Sequence, residues 1–194
     1  AFNNVSGVRM EERSPGSYRL SIRGSLLRSP FGVRNVKLYL DDFIFTDAGG
    51  NAYLNLLDNS SVSSAEIIKG PAGSIYGAGT GGAVLFTGNS LLAETKKDTS
   101  SAQFKLSAGS FSTIHQSIQW QKNTSAYNLS ILQNHSQSDG YRDQSRLQKD
   151  NIQLRFKLKE NKRFSIDFLV LLSRLNYQTP GGLNQVQVLA NPKQ

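Results

Sequence analysis

Gly77, Gly79 and Gly82 stand at the spacing G-x-G-x-x-G, which can cradle a dinucleotide pyrophosphate on backbone amides. That chemistry needs a strand directly before the glycines and a helix directly after, with the helix N-terminus facing the phosphates. Here Ala83 to Thr87 (A-V-L-F-T) follow as an apolar run with strand character, which argues against a nucleotide cradle. A P-loop fails for another reason, since no Lys-Ser or Lys-Thr follows the glycines. Ser74 follows Gly73 but lacks the G-x-S-x-G frame of a nucleophile elbow. Asp41 and Asp42 could suggest paired carboxylates, yet consecutive strand residues point to opposite faces, and capping a turn is the better role. The two histidines, His115 and His135, form no His-x-x-x-His pair, and the chain has no cysteine. A disulfide framework and a thiolate metal site are therefore excluded, and no zinc site is expected. Asn-x-Ser/Thr triplets at Asn4, Asn59, Asn123, Asn128 and Asn134 are expected by chance in a chain this rich in Ser and Asn. No catalytic constellation, metal site or cofactor is expected.

The elements around the glycines are easier to place. Glu66-Ile67-Ile68-Lys69 is a short strand that enters a Gly-Pro turn at Gly70-Pro71, and Ala83–Phe86 is a second one. Upstream, Tyr18–Arg23 alternates with period two, and Val36–Asp41 is another strand. Residues 1–17 are polar and turn-rich and are expected to form a surface segment. Phe43–Asn55 is a loop rich in aromatic, Gly and Asn residues, and Leu56–Ser64 is a short helix or turn capped by Asp58 or Ser60.

At Asn89 the texture changes. A polar hinge through Ser100 leads into five alternating segments, whose apolar members are Ala102/Phe104/Leu106/Ala108, Ile114/Ile118/Trp120, Tyr127/Leu129/Ile131, Ile152/Leu154/Phe156/Leu158 and Phe164/Ile166/Phe168/Val170/Leu172. Gln116 interrupts the second. Their opposite faces carry mainly Ser, Gln, Asn, Lys and Arg. Short polar turns at Gln121–Ser125 and Lys159–Lys162 alternate with longer loops at Ser136–Gln148 and beyond Leu175. Outer-membrane barrels show this pattern, and a soluble β-sandwich shows a similar alternation.

Composition bounds the alternatives. The 194 residues include no apolar run near the length of a transmembrane helix, which says nothing against transmembrane strands. The net charge of +8 is uneven: residues 1–88 hold 8 Lys/Arg against 7 Asp/Glu, the rest 14 against 7. These cations alternate along strands, as in Arg155-Phe156-Lys157-Leu158-Lys159, rather than clustering among stacking aromatics, so no nucleic-acid partner is expected.

The stretch Glu66–Leu85, E-I-I-K-G-P-A-G-S-I-Y-G-A-G-T-G-G-A-V-L, resembles the closing signature of the plug domain of TonB-dependent outer-membrane receptors. Gly70, Pro71, Tyr76, Gly77, Gly81 and Gly82 carry the match, together with Arg23-Gly24, which looks like that family's strand-terminating Arg-Gly element. Asp41-Asp42 departs from the usual Asp-Gly. Ser138–Asp143 and Tyr177–Leu183 resemble loops of the barrel. The resemblance implies an α+β plug domain over residues 1–88, a hinge at 89–100, and the first five or so antiparallel strands of a truncated transmembrane β-barrel over 101–194. The early plug, the box that binds TonB and most of the family's roughly 22 strands are expected to be missing, so the chain is expected to be a fragment. The implied function is transport: an outer-membrane receptor of a Gram-negative bacterium binds a scarce nutrient, most readily a ferric siderophore or other iron chelate. It imports that ligand with energy from the TonB complex, among outer-membrane lipid. Arg28, Phe31, Phe45, Asn51 and Tyr53 are the expected ligand contacts at the plug apex, with wedging of the plug against the barrel wall an equal alternative for the aromatics, and Arg23, Glu66 and Lys69 an expected plug–barrel ionic latch. A soluble or surface β-rich binding module is the alternative, and it would turn polar faces to water.

Overall fold

A computed structural model describes residues 2–14, 17–25, 33–70, 73–77, 79, 81–88, 98–158, 164 and 166–194. The chain divides into two compact units, Ala1–Asn89 and Ser90–Gln194.

The first unit is built on a four-stranded sheet and a hairpin. Strands β1 (Val8–Ser14) and β2 (Ser17–Ile22) pair antiparallel. Strands β3 (Val36–Leu40), β4 (Phe43–Ile44), β5 (Val62–Lys69) and β6 (Gly82–Gly88) form a sheet in the order β4-β3-β6-β5. Within it β3 and β6 run parallel and the other pairs antiparallel. The alternation read in the sequence explains the packing: Leu20 and Ile22 of β2, Val36, Leu38 and Leu40 of β3, and Val84 and Phe86 of β6 are buried together in the core. Residues 1–17 are not a plain surface segment as their polarity suggested. Val8 and Met10 stand opposite Ile22 and Leu20, so the charged residues between them ride on an amphipathic edge strand.

Two local features agree with the sequence. Asp58 caps a 3-10 turn over Asn59–Ser61 in a capping box with Ser61. The Asp41 carboxylate accepts a hydrogen bond from the Gly88 amide at 2.9 Å, tying the β3 end to the β6 end. Asp41 takes a positive φ of 51° in the two-residue hairpin turn, which lets Asp42 replace the usual glycine without occupying the left-handed region.

The glycine signature closes this sheet. Gly70 ends β5 with φ 115°, the short helix α1 (Gly73–Tyr76) follows, and β6 begins at Gly82. A strand thus follows Gly82 where a dinucleotide cradle requires a helix, and that function is ruled out. Gly82 has φ 115°, and a Cβ there would strike the Ile68 carbonyl oxygen; a Cβ on Gly81 would lie 2.9 Å from the Asn35 carbonyl oxygen. Backbone approaches backbone here at a separation that excludes any side chain.

The second unit is an antiparallel meander in the order β11-β10-β9-β8-β7, made of β7 (Thr99–Gly109), β8 (Thr113–Asn123), β9 (Tyr127–Ser138), β10 (Leu147–Leu158) and β11 (Ile166–Tyr177). The five segments are the expected ones, although β7 starts inside the expected hinge. The faces are inverted relative to a water-soluble sheet. Phe104 (61%), Ile118 (43%), Ile152 (47%), Phe168 (54%) and Leu172 (59%) are exposed, while Ser117, Gln121, Asn128, Asn134 and Arg155 on the other face are less than a tenth exposed. On the buried polar face Arg155 forks onto Asp167, with Nη2 to Oδ2 at 2.7 Å. Gln116 is not an isolated interruption. In register it stands beside His135, Asp150 and Arg174, a polar row that bounds the apolar belt, with His135 Nδ1 and Asp150 Oδ1 2.6 Å apart. Near the opposite end Tyr127 stacks on Phe156 at 5.9 Å, on the same face as Trp120 and Phe168. After β11 an unforeseen short helix α2 (Gln185–Ala190) is capped by Asn184.

Gly82→Ala should destabilise the first unit by roughly 3 kcal/mol, because the methyl group meets a backbone oxygen at a left-handed φ. Urea unfolding followed by limited proteolysis of that unit checks it; a wild-type profile would contradict the steric account.

Candidate functional site

Three loops gather at the end of the first unit's sheet where β2 and β5 finish and β3 and β6 begin. The Gly81 amide donates to the Asn35 carbonyl at 2.7 Å, and the Ala52 amide to the Val33 carbonyl at 3.0 Å. Val33 and Thr46 both bridge to Ala52, which folds the loop from Phe45 to Tyr53 back on itself and sets those two aromatics next in register. Tyr53 is half exposed. At the tip, Asp47 accepts the Asn51 amide at 2.8 Å, and the Asn51 side-chain oxygen accepts Arg34 Nε at 2.5 Å. Asn51 is thereby held between a carboxylate and a guanidinium.

Backbone donation from Asn51 is the largest of several effects that hold the Asp47 carboxyl below its usual 3.8; the Asn51 side chain, the Gly49 amide and the Tyr53 hydroxyl add to it, against a smaller opposing desolvation. Beside this loop, Arg34, Asn35, Val36, Lys37, Gly49, Gly50 and Gly79 line a cavity of about 280 Å³. Its two side-chain charges are both positive, so it suits an anionic group.

Of the residues expected from the sequence, Phe45, Asn51 and Tyr53 are therefore brought together on one loop. Arg28, Phe31 and Pro71 lie outside the described residues. Arg34 and Lys37 escaped the sequence reading, although a cation on each side of Asn35-Val36 at the start of a buried strand was a usable signal.

The charged trio is divided. Lys69 Nζ donates to the Ser6 carbonyl at 2.7 Å, and Arg23 passes beside Gly7 and Gly70, so these two cations share one corner. Glu66 is exposed on the opposite face of β5 from Lys69, since the two differ by an odd number of positions. Gly24 follows Arg23, both at positive φ, and ends β2 as expected. Tyr76 closes α1 with its ring edge-to-face on Tyr39 at 5.6 Å and its carbonyl accepting the Tyr39 hydroxyl at 3.1 Å; Gly77 follows with φ 78°.

In the second unit the connections at one end of the meander also associate. The Asp139 amide donates to the Phe111 carbonyl at 2.8 Å, the Phe111 and Tyr141 rings meet edge-to-face, and Arg142 Nη2 donates to the Gly181 carbonyl at 2.7 Å. The two loops singled out in the sequence, around Tyr141 and Gly181, are thus joined by one guanidinium.

Residues 1–84 match the family described as TonB-dependent Receptor Plug Domain. Among solved structures, the copper transporter OprC superposes with a TM-score of 0.69 at 17% identity, over 89% of this chain and 27% of that one. The ferric citrate transporter FecA in its unliganded form superposes with a TM-score of 0.73 at 16% identity, over 99% of this chain and 30% of that one. At such identity the likeness establishes the fold, and this chain spans less than a third of the length of either structure. Residues 1–84 are thus a plug domain of the TonB-dependent receptor type, and the chain as a whole has the fold shared by these two structures, an α+β plug followed by an antiparallel β-sheet.

The depressed Asp47 value sets a sign. A carboxyl whose folded value lies below its unfolded one contributes above the unfolded value and loses that contribution as pH falls through the folded one. The Phe45–Tyr53 loop should therefore keep its hydrogen bonds through mildly acidic pH and release them only below 3.8. The Asn51 amide NMR shift should titrate with a midpoint under that value, and Asp47→Asn should abolish the titration.

Proposed function

We propose that the chain is part of an outer-membrane active-transport receptor of a Gram-negative bacterium. It binds a scarce nutrient, most readily a ferric siderophore or another iron chelate, and passes it to the periplasm with energy delivered by the TonB complex. The observation that carries this reading is the inverted meander attached to a plug: apolar side chains exposed, polar ones buried, as hydrocarbon demands. The same inversion counts against a water-soluble binding module, which would turn its polar face outward. Phe45, Asn51 and Tyr53 form the described part of the ligand contact, with Arg28 and Phe31 proposed beside them. Arg34 and Lys37 add positive charge that suits an anionic chelate. A copper transporter among the solved relatives keeps other metal cargoes in view.

Arg23, Glu66 and Lys69 are proposed as plug charges that answer charges on the barrel wall. Because Glu66 and Lys69 sit on opposite faces of β5, they act as separate ties rather than as one cluster.

Uptake of radiolabelled ferric citrate and ferric siderophores by iron-starved cells tests the function. Cells carrying the full-length receptor should accumulate at least one chelate, a protonophore should abolish the uptake, and Tyr53→Ala should lower it by about fivefold, the loss of a stacking contact. Equal uptake by cells lacking the receptor for every chelate would remove iron as the cargo. For the latch, Lys69→Glu should increase sensitivity to large antibiotics that the outer membrane normally excludes. Unchanged sensitivity at normal receptor abundance would dismiss that role for Lys69.

A further inference from the structure

The exposed face of the meander changes chemistry along its length. At one end it closes in aromatics: Tyr127 stacks on Phe156, with Trp120 and Phe168 on the same face. His135 lies eight positions beyond Tyr127 on β9, about 27 Å along an extended strand and about 21 Å of depth at a tilt near 40°. The apolar band of a transmembrane barrel has a similar height, roughly 25 Å. There the face turns polar on β9, β10 and β11. One row carries Gln116, His135, Asp150 and Arg174, and the next carries Gln137, Gln148 and Asn176. This is the end at which the loops around Tyr141 and Gly181 are joined.

Arg174 supplies the cation. It stands opposite Asp150 in register, but Asp150 is turned to His135, with Oδ1 and Nδ1 2.6 Å apart. An ionised carboxylate only accepts, so His135 Nδ1 carries the proton and the two form a closed pair. Arg174 is exposed and makes no hydrogen bond or ion pair among the described residues. It sits two positions past the exposed Leu172, about 7 Å along the strand. A guanidinium rooted there reaches lipid headgroups while its stem stays at the level of hydrocarbon. Its planar fork matches phosphate oxygens, and Gln148 and Asn176, exposed one row further out, have amides that can donate beside it.

We propose that Arg174, with the Gln148 and Asn176 amides, holds the phosphate of an anionic membrane lipid at the loop-side edge of the apolar face, an inference that rests on the second unit being barrel wall. Charge complementarity selects this occupant. An unpaired cation next to exposed apolar side chains suits an amphiphile with an anionic head and acyl chains.

The full-length receptor in mild detergent is given dioleoyl phosphatidic acid or dioleoyl phosphatidylcholine, and bound lipid is read by native mass spectrometry. Wild type should prefer phosphatidic acid. Arg174→Gln should weaken that lipid about fivefold, the effect of one cation at a lipid surface, and leave phosphatidylcholine unchanged. Arg174→Lys keeps the charge without the fork and should recover part of the loss. Arg174 has no partner in the fold, so its replacement leaves the receptor folded. Equal binding of phosphatidic acid by wild type and Arg174→Gln overturns the proposal. Displacement of the lipid by millimolar inorganic phosphate also overturns it, as the result for a free-anion site. A receptor dimer that Arg174→Gln dissociates does the same, since the face then belongs to a second copy. Heat-dependent gel mobility separates the two levels. A receptor that needs detergent and migrates faster unboiled, yet fails the lipid tests, loses this site alone. One that is soluble without detergent loses the barrel and the site together.

Discussion

A sheet that exposes Phe104, Ile118, Phe168 and Leu172 on one side and buries Asn128, Asn134 and Arg155 on the other reverses the order that water imposes. In water each exposed aromatic or aliphatic side chain would forfeit about 2 kcal/mol of transfer free energy, and the face as a whole would drive aggregation. In hydrocarbon the cost falls instead on unpaired backbone amides and carbonyls, which a continuous antiparallel ladder satisfies. The interior rungs of the β7–β11 meander meet that condition, each strand pairing in unbroken register with the next. Its two outer strands, β7 and β11, pair on one side only within this sheet. Length, register and polarity of these five strands all match what such a solvent requires.

The first unit obeys a different constraint. Its sheet has a parallel pair, β3 and β6, joined through β4, β5 and α1, and the last connection, from β5 to β6, passes tightly over the sheet end. Gly81 and Gly82 make this possible by letting backbone lie where a Cβ would collide. That close approach fixes the starts of β3 and β6 side by side, and with them Arg34 and Lys37 against Gly79. The cationic cavity is thus a consequence of the glycine closure: the residues that looked like a nucleotide cradle hold two cations in place instead.

Patterns that rest on burial were legible in the sequence, and those that rest on long-range pairing were not. Leu20/Ile22, Val36/Leu38/Leu40 and the strands of the meander announce themselves because each turns its apolar residues to one face. β1 was hidden because an edge strand with Arg9, Glu11 and Glu12 among two apolar residues carries the composition of a loop; only Ile22 and Leu20 opposite it define its inner face. The loop contacts were legible as residue types, aromatic and amide near glycine. Arg34 reaches Asn51 across 17 positions, a proximity no local pattern encodes. The trio Arg23, Glu66 and Lys69 was named by resemblance as one group, yet strand parity alone could have separated Glu66 from Lys69.

Net charge shows the same limit from the other direction. The first unit is nearly neutral by count. Folding sorts those charges: Arg9, Arg19, Arg23 and Lys69 gather along the hairpin and its corner, and Arg34 and Lys37 at the cavity. Several acids are spent on structure instead. Asp41 ties Gly88, Asp58 caps a turn, Asp47 holds Asn51, and Glu11 answers Arg9. An acid held in a cap or turn keeps its charge, but that charge is largely screened from an exposed cation more than about 8 Å away at physiological salt. The plug therefore carries cationic surfaces despite its balanced composition, because several of its carboxylates are engaged as acceptors for backbone amides.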